Sequence, residues 1–420
     1  MSRSSRISAS LAITLTAAVA LSACSTKATE PASSTSDGVK TDVGVTDDTI
    51  TLGIQTDLSG TFKQIGIAMT AGNEAWADEV NAAGGICGRD IELDIKDNGY
   101  KPDNAIALYE QQKTTSLGLL QLQGSPILAA LKERITADQV LSVTGSWAST
   151  NLDSPSVLTV GQTYDLEIVN GLAWFQENDF IADGDTIAHI YADSEYGQNG
   201  LLGSKYYAQQ HGLNLVEVPV AATDTDMTAT ITKLKSEGVK AIALTISPAA
   251  TAAVGIQSKA QELDVPLLGS NPTFGTTFLS DQQTYDALDR YYVASSGDSL
   301  GSQNPAAAEL LKTVQASTDE TPNDAAILGY TFGLAWQAVL ETACDAEDLT
   351  RAGIIDAKQQ VSAVDTKGLT GTLDFSKHGA PSSRAGFIAQ LDGDAVSGTT
   401  VVADLYESAE ASEYQAPYEG

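Results

Sequence analysis

Positive charge, cysteine and histidine are all scarce in this chain. Lys and Arg number 23 against 54 Asp and Glu, a formal net charge of −31 at pH 7. A field of that sign repels nucleic acid and anionic membrane surfaces, so neither is an expected partner, and it favours solubility. His189, His211 and His378 stand far apart, and none of the three cysteines lies in a CxxC pair, so no zinc site is expected. The spacings of a nucleophile elbow (GxSxG), a phosphate loop (GxxxxGK[ST]) and a zinc-protease helix (HExxH) are missing as well. Residues 197–205 miss the phosphate-loop spacing, and Asp224 with Asp226 reads as a capping turn. No enzymatic activity and no cofactor are expected. What is present is enough to fold: 42% hydrophobic and 18% charged residues place the chain outside the disordered class. Its 420 residues exceed an ordinary domain, so two lobes are expected.

The N-terminus reads as a targeting segment. Arg3 and Arg6 precede an apolar run over 11–21, too short and Ala-rich for a stable span. The run ends in Leu21-Ser22-Ala23-Cys24, which resembles the lipobox of bacterial lipoproteins. That resemblance implies a signal peptide over 1–23 and a diacylglycerol on the Cys24 thiol. Residues 25–40 are rich in Ser, Thr, Ala and Pro without apolar period, so 24–47 is expected to be a lipid-anchored flexible tether. The protein is expected outside the cytoplasmic membrane, held to its outer face by lipid only. With Cys24 consumed, Cys87 and Cys344 remain as a pair, and an oxidising compartment favours a disulfide between them.

From Asp48 strands and helices alternate. Ile50, Leu52 and Ile54 have the period-two pattern of a strand, while Ile67, Ala71, Ala75 and Val80 follow helical spacing up to Gly84-Gly85. Strands are expected near 91–95, 117–122 and 140–144, with helices from Pro102 and over 127–137. After Gly161 the pattern restarts: helix 165–177, strand 186–192, helix 197–210 stopped by Gly212, strand 213–219. A helix from an Asp226 N-cap to Lys235 is closed by Gly238; strand 239–246, helix 249–263 and strand 265–268 follow. Such alternation means α/β lobes with doubly wound parallel sheets. In such sheets ligands sit beyond the carboxyl ends of the strands. The loops placed there are 57–66, 123–126, 145–150, 192–200, 247–248 and 269–275. They are rich in Gly, Ser, Thr and Asn, which favours neutral hydrogen bonding.

Five segments carry a closer resemblance. Residues 50–66 (ITLGIQTDLSGTFKQIG), 81–95 (NAAGGICGRDIELDI), 191–200 (YADSEYGQNG), 325–342 and 371–376 (GTLDFS) occur in the order seen in type I periplasmic binding proteins. They are most similar to the leucine/isoleucine/valine-binding-protein branch, substrate-binding proteins of ABC transporters. The resemblance covers nearly all of 48–407. It implies a first lobe of 48–162 plus 296–369 and a second of 163–295 plus 370–407, joined by three crossovers, with 408–420 as a C-terminal tail. It also implies an extracytoplasmic protein that takes a small organic molecule between its lobes and delivers it to ABC transporter permease subunits. The alternative is a tethered ligand-sensing protein partnering a membrane receptor, although such sensors normally carry a membrane helix of their own.

The resemblance also implies a pocket. Gly124, Ser125, Ser146, Trp147 and Ala148 stand where the family holds a ligand carboxylate with hydroxyls and backbone N–H groups. Ala148 replaces a common Thr, and Ser125, before Pro126, is equally suited to capping a helix. Tyr196 matches the second-lobe aromatic that closes over the ligand; Tyr196 and Trp147 are also residue types that cores bury. Asn271 stands where amino-acid binders place an acid for the ligand ammonium, and Ile65 where they tend to carry an aromatic. A neutral amide cannot form that charge-assisted bond. An uncharged or carboxylate-bearing ligand is therefore expected in preference to a zwitterionic amino acid, unless Asp57 or Asp193 reaches the cleft.

Overall fold

The computed structural model describes residues 33–34, 38–221, 224–317 and 321–419. The signal peptide and Cys24 lie outside the described residues. Strand β1 (Thr49–Thr56) leads into α1 (Lys63–Ala82), β2 (Asp90–Asp97) into α2 (Pro102–Gln112), and β3 (Gly118–Gln123) into α3 (Ser125–Ala137). Strands β4 (Ser142–Gly145) and β5 (Val157–Leu158) complete a five-stranded parallel sheet ordered β2-β1-β3-β4-β5. Adjacent Leu119 and Leu120 of β3 join different apolar clusters, and a register shift between Leu119 and Leu122 returns Leu122 to the cluster of Leu119. Helix α2 starts on Pro102, whose missing N–H costs nothing in a first turn.

The chain then crosses to the second lobe. Helix α4 (Tyr164–Glu177), β6 (Thr186–Ala192), α5 (Glu195–His211), β7 (Asn214–Val220), α6 (Thr228–Glu237), β8 (Ile242–Thr245), α7 (Pro248–Ala260), β9 (Leu267–Ser270), α8 (Gln282–Ala287) and β10 (Tyr291–Ser295) follow. Helices α5 and α6 end at Gly212 and Gly238 in the left-handed conformation (φ 62° and 68°), where glycine carries no Cβ penalty. Asp226 accepts from the Thr228 N–H at 3.1 Å but lies one residue outside the cap, which is Met227.

Helices α9 (Pro305–Ser317), α10 (Ala325–Asp345) and α11 (Arg351–Lys358) return to the first lobe, where α10 packs on α1. Strands β11 (Gly386–Leu391) and β12 (Thr399–Tyr406) then extend the second sheet to the order β12-β11-β10-β9-β8-β6-β7. Strand β11 runs antiparallel to β10, and β12 antiparallel to β11, where the short link between them leaves no room for a parallel crossover. The crossings lie side by side. Ser382 Oγ accepts from the Gly161 N–H at 2.9 Å and donates to the Thr159 carbonyl at 2.7 Å, and Ser296 Oγ accepts from the Gln162 N–H at 2.9 Å. The architecture is an α/β fold of two doubly wound lobes. Among the described residues no helix is long and apolar enough to cross a membrane.

Three boundaries differ from expectation. Residues 371–376 form no strand and belong with the first lobe: Leu373 and Phe375 are buried in its core and the Phe375 N–H bonds the Val361 carbonyl at 2.8 Å. The tether ends before residue 47. Lys40–Thr41 pairs with Asp348–Leu349, Thr41 is 1% exposed, and Val39 and Val45 pack on the first-lobe core. The last residues are docked, not free: α12 (Ala409–Glu413) buries Ala411 and Tyr414 against α4, and Arg384 donates to both of their carbonyls at 2.7 Å. In each case apolar side chains outside the regular pattern decide the matter.

Cys87 and Cys344 form a disulfide with their Cα atoms 6.1 Å apart, 257 residues apart in sequence. It joins the turn after α1 to the last turn of α10.

Candidate ligand cleft

The loops after β1, β3 and β4 in one lobe face those after β6, β8 and β9 in the other. Helix α3 presents its N-terminus there, with Gly124 as cap at φ 112°; a Cβ at this residue would lie 2.7 Å from the Tyr100 ring. Only glycine accepts both constraints. Ser125 is the first helical residue and not the cap, and its Oγ lies 2.8 Å from Ser146 Oγ. The Tyr164 phenol bonds Ser125 too, and burial pushes its pKa well above the usual tyrosine range. Tyr196 lies across from it, rings 4.7 Å apart, with its hydroxyl 2.7 Å from Ser270 Oγ. Phe62 and Tyr100, ring centroids 4.7 Å apart, form the outer wall.

These aromatics with Gly124, Trp147 and Asn271 line a cavity of about 20 Å³. Gly124, Trp147, Tyr196 and Asn271 are thus brought together. Ser125 and Ser146 sit just behind the lining and satisfy each other, while Ala148 is buried outside it. Trp147 divides its roles: its indole N–H bonds the Val160 carbonyl at 2.9 Å, and its ring lies 5.8 Å from core Phe332.

Asn271 carries a partner that no local pattern reveals. Its backbone N–H donates to Glu167 Oε2 at 3.1 Å and its side-chain amide to Oε1 at 2.8 Å. Glu167 is fully buried in the first turn of α4, and that burial pushes its pKa up to about 8 against the pull of the two Asn271 bonds. Burial therefore favours the neutral form of this carboxyl. Asp57 is spent within its own loop, accepting from the N–H groups of Ser59 at 3.2 Å and Phe62 at 2.8 Å, and from that of Gly60. Asp193 is exposed on the surface. Neither lines the cavity.

A second cavity, about 40 Å³, adjoins the first through shared walls at Ile65 and Asn271. Leu328 and Ile65 from the first lobe meet Phe274, Val293, Phe387, Ala389 and Val401 from the second. Asp324 on its rim is held by the Leu300 N–H at 2.7 Å and by Ser299 and Thr399 hydroxyls, with burial raising its pKa. Neither lining contains Lys, Arg or His. The arrangement offers a helix N-terminus and no acid in the first cavity, and apolar walls with Asp298 and Asp324 in the second. Among the described residues no cluster of His, Cys, Asp or Glu could hold a metal ion.

Sequence reasoning missed Glu167, Tyr164, Phe62 and Tyr100. Only Glu167 left a trace, as one of two acids in the first turn of a helix.

The family profile described as periplasmic binding protein matches residues 49–397. No curated protein matches the chain. Among solved structures, a fatty acid ABC transporter substrate-binding protein from Thermomonospora curvata is 33% identical, TM-score 0.87, covering 92% of this chain and 99% of that one. A branched-chain amino acid ABC transporter from Thermus thermophilus with bound valine shares the fold at 16% identity and TM-score 0.76, covering 87% and 98%. So does a solute-binding protein from R. palustris in complex with benzoate, at 15% identity and TM-score 0.69, covering 86% and 98%. The matched span takes in both sheets except β12, with the loops that face each other across the cleft, and the chain belongs to the periplasmic binding protein family.

Proposed function

We propose that this protein is the substrate-binding component of an ABC transporter and captures an amphiphilic monocarboxylic acid, such as a fatty acid, rather than an amino acid. The carrying observation is that Asn271 is committed to a buried Glu167 whose pKa burial raises, and that the cavity at the α3 N-terminus is lined by no acid. Burying an ammonium without a counter-charge costs several kcal/mol. A carboxyl head group needs only donors, and the backbone N–H groups at the Gly124–Ser125 start of α3 supply them. The hydrocarbon tail runs past Ile65 and Asn271 into the chamber of Phe274, Val293, Leu328, Phe387 and Val401. Lobe opening at the crossings admits the ligand and closure buries it. The 33%-identical relative is a fatty acid substrate-binding protein, which supports the same class.

Native mass spectrometry of the protein purified without added ligand tests this. A bound aliphatic or aromatic acid is the expected mass; a stoichiometric amino acid would contradict the proposal.

The same reading makes Cys24 a diacylglycerol-modified N-terminus that holds the protein on the outer face of the cytoplasmic membrane. Cys24→Ala is expected to move the protein from the membrane fraction to the medium. A wild type that is already free and begins at another residue would count against the anchor.

A further inference from the structure

A cavity distinct from the ligand cleft, about 130 Å³, lies beside the crossings. Pro155, Val157 and Thr159 form one wall, and Lys377 and His378 stand on another. Lys358, the last residue of α11, points its charge inward. The residue is only 8% exposed, and its ammonium donates to the Pro155 carbonyl at 2.6 Å. Among the described residues it pairs with no carboxylate. Lysines near a surface normally extend the charged head to water. This one is held where burial pushes its pKa down to about 8.

Thr159 Oγ1 in the same lining is buried without a hydrogen-bond partner among the described residues, whereas several other polar groups around it are occupied. Ser382 Oγ bridges the crossings, and Ser154 Oγ lies 2.6 Å from Thr136 Oγ1. Asp374, the one acid in the lining, accepts from the Ser376 N–H at 3.0 Å and its hydroxyl at 2.6 Å, and pairs with Lys377 at 3.3 Å. What remains is a buried ammonium with N–H groups to spare and two further basic side chains on the rim, in a chain of net charge −31.

We propose that this pocket binds a small oxyanion, such as phosphate, sulfate or a short carboxylate, with Lys358 Nζ as its central donor and Lys377 and His378 closing over it. An anion supplies the counter-charge that a buried ammonium lacks. The cavity's volume, about 130 Å³, has room for an ion of that size. The bound anion would touch segments leading into the first and third crossings, and the inference stands apart from the identity of the cleft ligand.

The probe is inorganic phosphate, titrated by ³¹P NMR and by thermal shift against chloride at equal ionic strength. Wild type is expected to bind phosphate saturably and to melt higher in it than in chloride. Lys358→Met, which keeps the stem and removes the charge, is expected to weaken phosphate binding roughly tenfold or more. Equal responses to phosphate and chloride, or an unchanged phosphate response in the variant, would overturn the proposal. Should Lys358→Met not fold, Lys377→Met with His378→Gln replaces it: the proposal requires weaker phosphate binding there, and an unchanged titration refutes it.

Discussion

Glu167 couples the cleft to pH. Its carboxyl, ordinarily near 4.5, is pushed up to about 8 in the fold by burial. The folded state therefore holds this proton more tightly than the unfolded chain does. The stability it contributes is complete below about pH 4.5 and is lost as pH rises towards 8, a decline on the order of a few kcal/mol. Glu167→Gln keeps an acceptor for Asn271 without the titration, so its melting temperature is expected to fall less than wild type's between pH 5 and 8. Identical slopes for the two proteins would exclude Glu167 as the source. At this scale the sequence was only half legible. Asn271 stood out because a familiar acid was replaced, whereas Glu167 lies 104 residues away and meets it only in the folded chain. Ser125 was read as cap or contact, and a glycine at positive φ took the cap.

The pairing of α1 with α10 is the tightest contact between elements in the first lobe. Gly72 faces the Ala326 carbonyl, Gly329 the Met69 carbonyl and Gly333 the Trp76 ring, each so close that a Cβ would collide. Backbone cannot yield as a side chain can, so Gly329→Ala is expected to cost about 1–3 kcal/mol in chemical denaturation. A variant as stable as wild type would mean that the helices separate more easily than their packing indicates. The Cys87–Cys344 bond ties the far end of the same pair, and closing so long a loop stabilises by roughly 5–6 kcal/mol on the chain-entropy view. Periodicity exposed most elements here, since β1 and α1 show their apolar spacing plainly. It did not expose the fate of 371–376. Leu373 and Phe375 alternate as a strand would, yet the first-lobe core takes them before any sheet edge does.

For the whole molecule, the order of the five segments was enough to give two lobes and a cleft. The apolar chamber was not legible, because its walls come from Ile65, Leu328, Phe387 and Val401, which the crossings alone bring together. That chamber carries the central claim, that the ligand is an acid with a hydrocarbon tail. Isothermal titration calorimetry with octanoate and with leucine tests it most directly, on protein stripped of bound ligand by unfolding and refolding. Octanoate is expected to bind at least roughly tenfold more tightly than leucine, with the negative heat-capacity change of apolar burial, and Val401→Asp, which puts a charge in the chamber, is expected to abolish that preference. Micromolar or tighter binding of leucine that is lost in Asn271→Ala, with no binding of octanoate, would contradict the account.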